Sequence, residues 1–361
     1  MTLDRITLSS FRNHCDTRLD GTAALNLLVG ENGAGKTNVF EALSLFAPGR
    51  GLRRAALSEM AARSHDGGFA VSAGLRSGDA VPVMLGTGTD PARPGRRLVQ
   101  INGVQASAVA LGEWLAVSWL TPTMDGLFTD SATARRRYMD RLALALEPSH
   151  ARRASRYEEA LRERNRLLSE PSMPDQTWLA SIERQMAEAG AALTAGRRAL
   201  VDRLSASLAD WPDRSFARPT LEYLLGGPEG TDALTEALEA GRARDRAAGR
   251  SLIGPHRDEL QVTMASKAAP AAQCSTGEQK AMLLAITLAH AELAARGRPG
   301  LLLLDEVAAH LDPLRRSALF ERLESGGAQV WMTGTEASPF ATIESTAATW
   351  RIADGKATRR D

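Results

Sequence analysis

Residues 30–37 contain the glycines, the lysine and the hydroxyl group that a phosphate-binding loop requires. In order they are Gly30, Glu31, Asn32, Gly33, Ala34, Gly35, Lys36 and Thr37, which matches the pattern G-x-x-x-x-G-K-[ST]. Glycine permits positive φ angles and leaves backbone N–H groups free to point at phosphate oxygens. The sequence therefore predicts a nucleotide-binding loop, with Lys36 at the β- and γ-phosphates and Thr37 as a ligand of Mg²⁺.

The segments on either side of this loop have the expected character. Residues 24–29 form a short apolar run typical of a buried strand, and Val39, Leu43 and Phe46 recur at helical spacing after the loop. A helix that begins at the loop directs its partial positive end toward an anion. A glycine-rich turn followed by a helix is the alternative, and the matching flanks disfavour it.

Two carboxylates follow a second apolar run, almost a whole chain length away. Residues 301–304 are four leucines, typical of a strand buried in a parallel sheet, and Asp305 and Glu306 come directly after them. We expect Asp305 to hold Mg²⁺ through water and Glu306 to polarise the water that attacks a γ-phosphate. Taken alone, this acidic pair could equally cap a helix.

A third motif and a fourth flank this acidic strand. Residues 275–279 read Ser-Thr-Gly-Glu-Gln before an apolar helix, and Leu311 and Asp312 begin five residues after Glu306. Residues 275–278 also satisfy the capping-box pattern of an ordinary helix. Their position between the phosphate loop and the acidic strand favours a role in the nucleotide site.

The order of elements predicts an α/β fold. We expect an ATPase head with an antiparallel β layer formed by residues 68–105, where short β-like runs alternate with glycine and proline. After residue 133, Arg, Glu, Ala and Leu dominate, which favours an inserted helical lobe. We assign residues 1–120 and 250–361 to the head and residues 121–249 to the lobe.

Apolar residues at three- and four-residue steps predict a long helix between Pro174 and Pro212. A similar stripe contains Ala154, Tyr157, Leu161 and Leu168, and the break at residues 171–174 lets the two helices fold back antiparallel. They would form a coiled-coil arm roughly 50 Å long. The alternative is a helical hairpin packed on its own head.

Composition limits the classes of protein considered. The 361 residues contain 43% hydrophobic and 24% charged residues, with a net charge of only +1, so overall basicity does not indicate nucleic-acid binding. No apolar run approaches the ~20 residues that cross a bilayer. Cys15 and Cys274 lack metal-site or redox spacing. We expect a cytoplasmic protein that does not insert into membranes.

Residues 275–279 resemble the signature motif of ABC ATPases, and Leu311 and Asp312 resemble the aspartate loop that follows the acidic strand in those proteins. The order of phosphate loop, helical insertion, signature, acidic strand and aspartate loop resembles ABC ATPases of the SMC-like branch. Within that branch the chain resembles the RecF family, through residues 11–13, 133–140 and 254–260. The resemblance implies head-to-head dimers that hold ATP between the phosphate loop of one copy and the signature of the other. The residues it places at that ATP from the opposite copy are Ser275, Gly277, Gln279 and Asp312.

By the same resemblance, Arg12 and Asn13 approach the nucleotide, although alone they are typical of polar residues at a strand end. The family implies ATP-dependent DNA binding at single-stranded or gapped DNA, RecA loading with RecO and RecR partners, and SOS induction. The candidate DNA-contacting residues are Arg50, Arg53, Arg54, Arg135, Arg136 and Arg137. A second basic group on the arm comprises Arg152, Arg153, Arg162, Arg164 and Arg166, of which Arg162 and Arg166 have neighbouring glutamates as partners.

Two departures from general ABC patterns predict slow hydrolysis. Thr333, Gly334 and Thr335 occupy the segment where many ABC proteins have a histidine, and residues 120–125 contain no glutamine. Both groups usually sense or position the γ-phosphate. His256, alone beside Arg257 and Asp258, is more typical of a structural histidine than of a catalytic one.

Three other classes of protein predict features that differ from those of this sequence. A transporter nucleotide-binding subunit predicts that histidine and a coupling glutamine, and leaves the helical insertion unexplained. An SMC-type chromosome organiser predicts an arm of hundreds of residues with a dimerising tip. A GTPase predicts an Asn-Lys-x-Asp motif, which the sequence lacks.

Overall fold

The computed structural model describes residues 2–62, 67–76, 81–172, 174–209, 211, 216–308 and 311–360. The strands are β1 Thr2–Phe11, β2 His14–Leu19, β3 Leu25–Val29, β4 Phe69–Arg76, β5 Val83–Asp90, β6 Arg93–Ile101, β7 Val104–Gln105, β8 Ala116–Leu120, β9 Pro219–Leu224, β10 Glu259–Met264, β11 Ala269–Pro270, β12 Gly300–Leu304, β13 Gln329–Gly334, β14 Ala347–Ala353 and β15 Lys356–Arg360. The helices are α1 Lys36–Ser44, α2 Leu57–Met60, α3 Ala108–Trp114, α4 Ala132–Leu146, α5 His150–Ser169, α6 Gln176–Ala209, α7 Thr231–Ala240, α8 Arg242–Ala248, α9 Thr276–Ala295 and α10 Pro313–Ser325.

The chain divides into two compact units. The first includes Met1–Asp125 and Leu283–Asp361, and the second includes Gly126–Trp211 and Ala217–Met282. The assignment of residues 121–249 to a separate lobe stays a prediction. The α/β fold class is confirmed, with an ATPase-type head, an antiparallel layer and a helical insertion.

The first unit contains two sheets. One has the order β15-β14-β3-β13-β12-β8, in which β14, β3, β13, β12 and β8 pair in parallel and β15 pairs antiparallel with β14. The other has the order β2-β1-β4-β5-β6-β7 and is antiparallel, as the turns between its short strands predict. Together with α1 they enclose one apolar core.

The parallel sheet determines which loops meet. Both β3 and β12 are entirely buried, as their continuous apolar sequences predict. Strand β13 lies between them and pairs with both. Since parallel strands end at the same edge, the loops that follow Val29, Leu304 and Gly334 lie side by side.

The second unit contains the helical hairpin and a small sheet with the order β11-β10-β9. Helices α5 and α6 contact each other as predicted, and α4, α7 and β9 also pack against α6. Leu179, Met186 and Leu193 on α6 are buried. The predicted helix limit at Pro212, and Met173 within the predicted break, lie outside the described residues.

One residue of the second basic group is not on the surface. Arg164 is fully buried and donates to Glu183 (Nε to Oε1, 3.1 Å), Asp245 (Nη1 to Oδ2, 2.7 Å) and Ser251 (2.6 Å). Its inclusion among surface arginines was wrong, because it occupies the inward-facing side of α5. Within the described part of the chain, none of the helices is both long and apolar enough to cross a membrane.

Candidate nucleotide-binding site

The predicted phosphate loop connects the end of β3 at Val29 to the start of α1 at Lys36. Gly33 and Gly35 have φ angles of 83° and 116°, a region that disfavours residues with a Cβ atom. A Cβ on Gly35 would lie 2.7 Å from Nδ2 of Asn13 and 2.8 Å from Nε2 of His14. The loop therefore needs glycine there for its conformation and for its close packing.

Lys36 is buried, and its ammonium group is held by the loop itself. Its Nζ donates to the carbonyl oxygens of Gly30 (2.5 Å) and Glu31 (2.9 Å). The pKa of Lys36 is lowered from its ordinary value, mainly by burial, and the negative charges of Glu306 and Asp305 oppose this shift. The cation thus lies within the loop and close enough to both acidic residues to interact with their charges.

The structure brings Thr37 and Asp305 together. The hydroxyl of Thr37 lies 3.1 Å from Oδ2 of Asp305 and 3.4 Å from Oδ1. The pKa of Asp305 is raised above its ordinary value, mainly by burial, and hydrogen bonds from Thr333 and Thr37 oppose this shift. A hydroxyl and a carboxylate at this spacing are oxygen ligands of the kind that Mg²⁺ prefers.

Glu306 follows Asp305 in a left-handed conformation, with φ 54°. Its backbone N–H donates to Oγ1 of Thr333 at 2.9 Å, and that hydroxyl donates to Oδ1 of Asp305 at 2.7 Å. In the sequence, Thr333 stands out only as part of a segment without histidine, and these contacts are not predictable from it. The signal in the sequence that could have indicated a role for Thr333 is its position at the carboxyl end of β13.

Arg12 and Asn13 lie in the turn between β1 and β2, beside the phosphate loop. The Arg12 guanidinium forms a two-bonded pair with buried Glu41 of α1, with both N–O distances 2.8 Å. Asn13 Nδ2 donates to the carbonyl of Ala34 at 3.0 Å. The structure therefore places both residues against the loop and the helix that follows it.

His14 is a neighbour of the site that no sequence motif predicts. It is fully buried, with Nε2 3.1 Å from the carbonyl oxygen of Gly35 and Nδ1 3.0 Å from Oγ1 of Thr17. Thr17 in turn donates to the carbonyl of Gly355, 2.7 Å away in the β14–β15 turn. The phosphate loop is thus linked to two hairpins of the first unit.

Ser275, Gly277 and Gln279 lie in the second unit. Ser275 and Gly277 are exposed. Ser275 caps α9 through reciprocal bonds with Glu278: its N–H and hydroxyl each donate to Oε2 at 3.0 Å, and its Oγ accepts from the N–H of Glu278 at 3.4 Å. The amide of buried Gln279 donates to the carbonyl of Cys274 at 2.9 Å. Gln279 therefore stabilises the turn from inside, while Ser275 and Gly277 form its outer surface.

Asp312 lies in the first unit and caps α10 by accepting from the N–H of Arg315 at 2.9 Å. Its side chain is half-exposed. This hydrogen bond fixes Asp312 at the start of α10 and leaves its side chain accessible to solvent.

The candidate DNA-contacting arginines differ in their engagement. Arg53 pairs with Glu41 at 2.9 Å, and Arg135 pairs with Glu259 at 2.7 Å. Arg136 donates to the carbonyl of Asp258 at 2.9 Å. The three remaining candidates are exposed, namely Arg50, Arg54 and Arg137.

Two of the family-like motifs, residues 133–140 and 254–260, meet in the second unit around Arg197. Buried Arg197 donates to Asp140 and to Asp258, each at 2.8 Å from its nearest nitrogen. His256 accepts from the hydroxyl of Tyr157 at Nδ1 (2.7 Å) and faces the carbonyl of Ser251 with Nε2 (2.9 Å). These contacts favour the structural interpretation of His256.

This fold and site define the chain as an ABC-type P-loop ATPase head of the SMC-like class. The family model of the RecF/RecN/SMC N-terminal domain matches residues 2–357. The DNA replication and repair protein RecF of Mesorhizobium japonicum is 47% identical over 94% of this chain and 93% of its own length. The protein of the same name from Brucella suis is 44% identical over 99% and 96%. The chain therefore belongs to the RecF family of DNA replication and repair proteins.

The fold of this family is also present in solved structures. The structure of the recombination mediator protein RecF-ATP in the RecFOR pathway is similar with a TM-score of 0.84, at 22% identity, over 99% of both chains. These relatives do not favour a transporter subunit or a chromosome organiser.

Proposed function

We propose that the chain binds ATP with Mg²⁺ at the phosphate loop and hydrolyses it slowly, as a switch. The observation that carries this proposal is the 3.1 Å contact between the hydroxyl of Thr37 and Oδ2 of Asp305. It brings the two residues that would hold Mg²⁺ to one point beside Lys36. The similar protein whose solved structure is that of RecF-ATP supports ATP as the nucleotide.

Each residue of the site has a separate task in this proposal. Lys36 would leave the carbonyls of its own loop and donate to β- and γ-phosphate oxygens. When bound by Thr37 and Asp305, Mg²⁺ supplies charge neutralisation on those oxygens. Glu306 would accept a proton from the attacking water. Because β13 ends at Gly334 and is followed by Thr335, where many ABC proteins have a histidine, we expect turnover below roughly 10 s⁻¹.

We further propose that two copies share the nucleotide. Ser275 and Gly277 form an exposed turn at the start of α9, and the half-exposed Asp312 begins α10. In the shared site, the hydroxyl and N–H of Ser275 would leave Glu278 and donate to a γ-phosphate presented by the other copy. Gln279 would support this contact by keeping the turn in shape, and Arg12 and Asn13 would complete the site on the phosphate-loop side.

The ATP-bound pair would act on DNA in the cytoplasm, at single-stranded or gapped sites. We propose that it assists RecA loading together with RecO and RecR, and thereby supports SOS induction. Exposed Arg50, Arg54 and Arg137 are the first candidates for phosphate contacts, whereas Arg53, Arg135 and Arg136 have internal partners. Closing two copies doubles the basic groups available, so DNA affinity should fall steeply with salt.

Sedimentation of the protein with and without ATP, on gapped, single-stranded and duplex DNA, tests this function. We expect ATP to promote dimers and DNA binding, with salt sensitivity, and Lys36→Ala to abolish both effects. ATP-dependent DNA affinity that does not change between low and moderate salt would contradict the electrostatic part. Turnover well above roughly 10 s⁻¹ would contradict the slow switch.

A further inference from the structure

We infer that Thr333 is a positioning residue that holds Asp305 and Glu306 in the geometry that metal binding and hydrolysis require. This inference rests on the proposed function. Thr333 is buried at the carboxyl end of β13, with 1% of its surface exposed. Its hydroxyl donates to Oδ1 of Asp305 and accepts from the N–H of Glu306, at 2.7 Å and 2.9 Å. One side chain thus contacts both acidic residues.

The strand order explains why this position can reach them. Strand β13 lies between β3, which leads into the phosphate loop, and β12, which leads into the acidic pair. Leu304 is opposite Met332 in the parallel register, so Thr333 is the next residue along beside Asp305. The side chain at this point is therefore adjacent to both chemical segments.

The two carboxylate oxygens of Asp305 have different nearest partners. Thr333 occupies Oδ1, while Oδ2 faces the hydroxyl of Thr37 at 3.1 Å. A carboxylate fixed in this way presents one oxygen in a defined direction, whereas an unfixed one could rotate. Partners of ligand side chains that fix their orientation commonly contribute about 10- to 100-fold to metal affinity or activity.

The second hydrogen bond supports an uncommon backbone conformation. Glu306 has φ 54°, a left-handed geometry that costs free energy in a residue with a side chain. Its N–H is satisfied by the Thr333 hydroxyl. This bond stabilises the conformation that directs the Glu306 side chain, so the loss of the hydroxyl should change the position of the base.

The test replaces Thr333 with Val, which has the same shape without a hydroxyl, and with Ser, which keeps the hydroxyl. Thr349 on β14 provides a matched control, since it is also buried and its hydroxyl has no hydrogen-bond partner among the residues that the structure describes. Each variant is assayed for ATP turnover, for the Mg²⁺ concentration that half-saturates turnover, and for affinity toward a fluorescent ATP analogue without Mg²⁺.

We expect Thr333→Val to raise the half-saturating Mg²⁺ concentration and lower turnover by about 10-fold or more, with metal-free affinity unchanged. Thr333→Ser should restore both values, and Thr349→Val should match the unsubstituted protein. If Thr333→Val does not fold, Thr333→Ala must show the same Mg²⁺ shift. Equal behaviour of the Thr333→Val and Thr349→Val variants would overturn the inference.

Failure of the proposed function would look different. In that case the unsubstituted protein itself would show no nucleotide binding or turnover that depends on Lys36. The unsubstituted protein and Lys36→Ala are therefore measured alongside the Thr333 variants.

Discussion

The hydroxyl of Thr37 lies 3.1 Å from Oδ2 of Asp305, although 268 positions separate the two residues in the chain. The contact arises because the strands that precede them end at one edge of the parallel sheet. If both residues hold the same metal ion, their contributions to ATP binding cannot be independent.

We therefore expect the effects of Thr37→Val and Asp305→Asn on Mg²⁺-dependent ATP affinity to be non-additive. Each single change should weaken binding, and the double variant should lose less than the sum, with a coupling energy above about 0.5 kcal/mol. Titration calorimetry with ATP and Mg²⁺ measures this. Additive losses, or equal losses without Mg²⁺, would argue against a shared metal site.

Glu306→Gln should bind ATP normally and accumulate as dimers. The amide keeps the shape of the side chain but cannot take a proton from water, so the ATP-bound state persists. Light scattering with ATP provides the measurement, and Thr349→Val, on β14 of the same sheet, serves as a control for a buried substitution that does not contact the acidic pair. Loss of dimers in the Glu306→Gln variant would refute the role given to Glu306.

The buried ion-pair network around Arg164 should dominate the stability of the second unit. Arg164→Met leaves the buried carboxylates of Glu183 and Asp245 short of a partner, which should cost about 3–5 kcal/mol. Arg162→Met, on the same helix, breaks only an exposed pair with Glu158 and should cost less than about 1 kcal/mol. Urea unfolding measures both, and similar losses would contradict the assignment.

His256 should make folding stability depend on pH. Burial lowers its pKa from the ordinary value of 6.5; the hydrogen bond to the carbonyl of Ser251 opposes that shift and the charge of Arg257 adds to it. Because the unfolded chain then takes up the proton first, stability should fall as pH drops below about 6.5.

The measurement compares the urea midpoints of unfolding at about pH 7.5 and about pH 5.5, which lie on either side of the ordinary histidine pKa. His256→Gln removes the titrating group and should reduce the dependence. An unchanged difference between the two midpoints would mean that other groups cause it.

Much of the site could be predicted from sequence because its motifs are local. The phosphate loop, the acidic pair after four leucines and the signature each occupy a few consecutive residues, and their flanks determine whether strands or helices carry them. The RecF family assignment followed from such segments and is confirmed by relatives at 44–47% identity.

What the sequence did not reveal depends on contacts between distant segments. Thr333 forms a hydrogen bond with Asp305 only because β13 lies between β3 and β12 in the sheet. The order of strands in a sheet cannot be predicted from the sequence of any single strand. His14 contacts Gly35 across 21 positions. Arg164 could not be distinguished from the exposed arginines around it, because the sequence of one helix does not show which of its charged residues will be buried against other helices.

We propose that two copies share one nucleotide, and sedimentation of two defective variants with ATP tests this sharing. Lys36→Ala lacks the phosphate-loop cation but keeps the Ser275 turn, whereas Ser275→Arg keeps the loop and blocks the turn. Alone, each should remain monomeric, and Ser275→Arg should still bind ATP. Mixed together, they should form ATP-dependent pairs, because one complete site is restored. Normal dimers of Ser275→Arg alone, or a mixture that stays monomeric, would contradict the shared site.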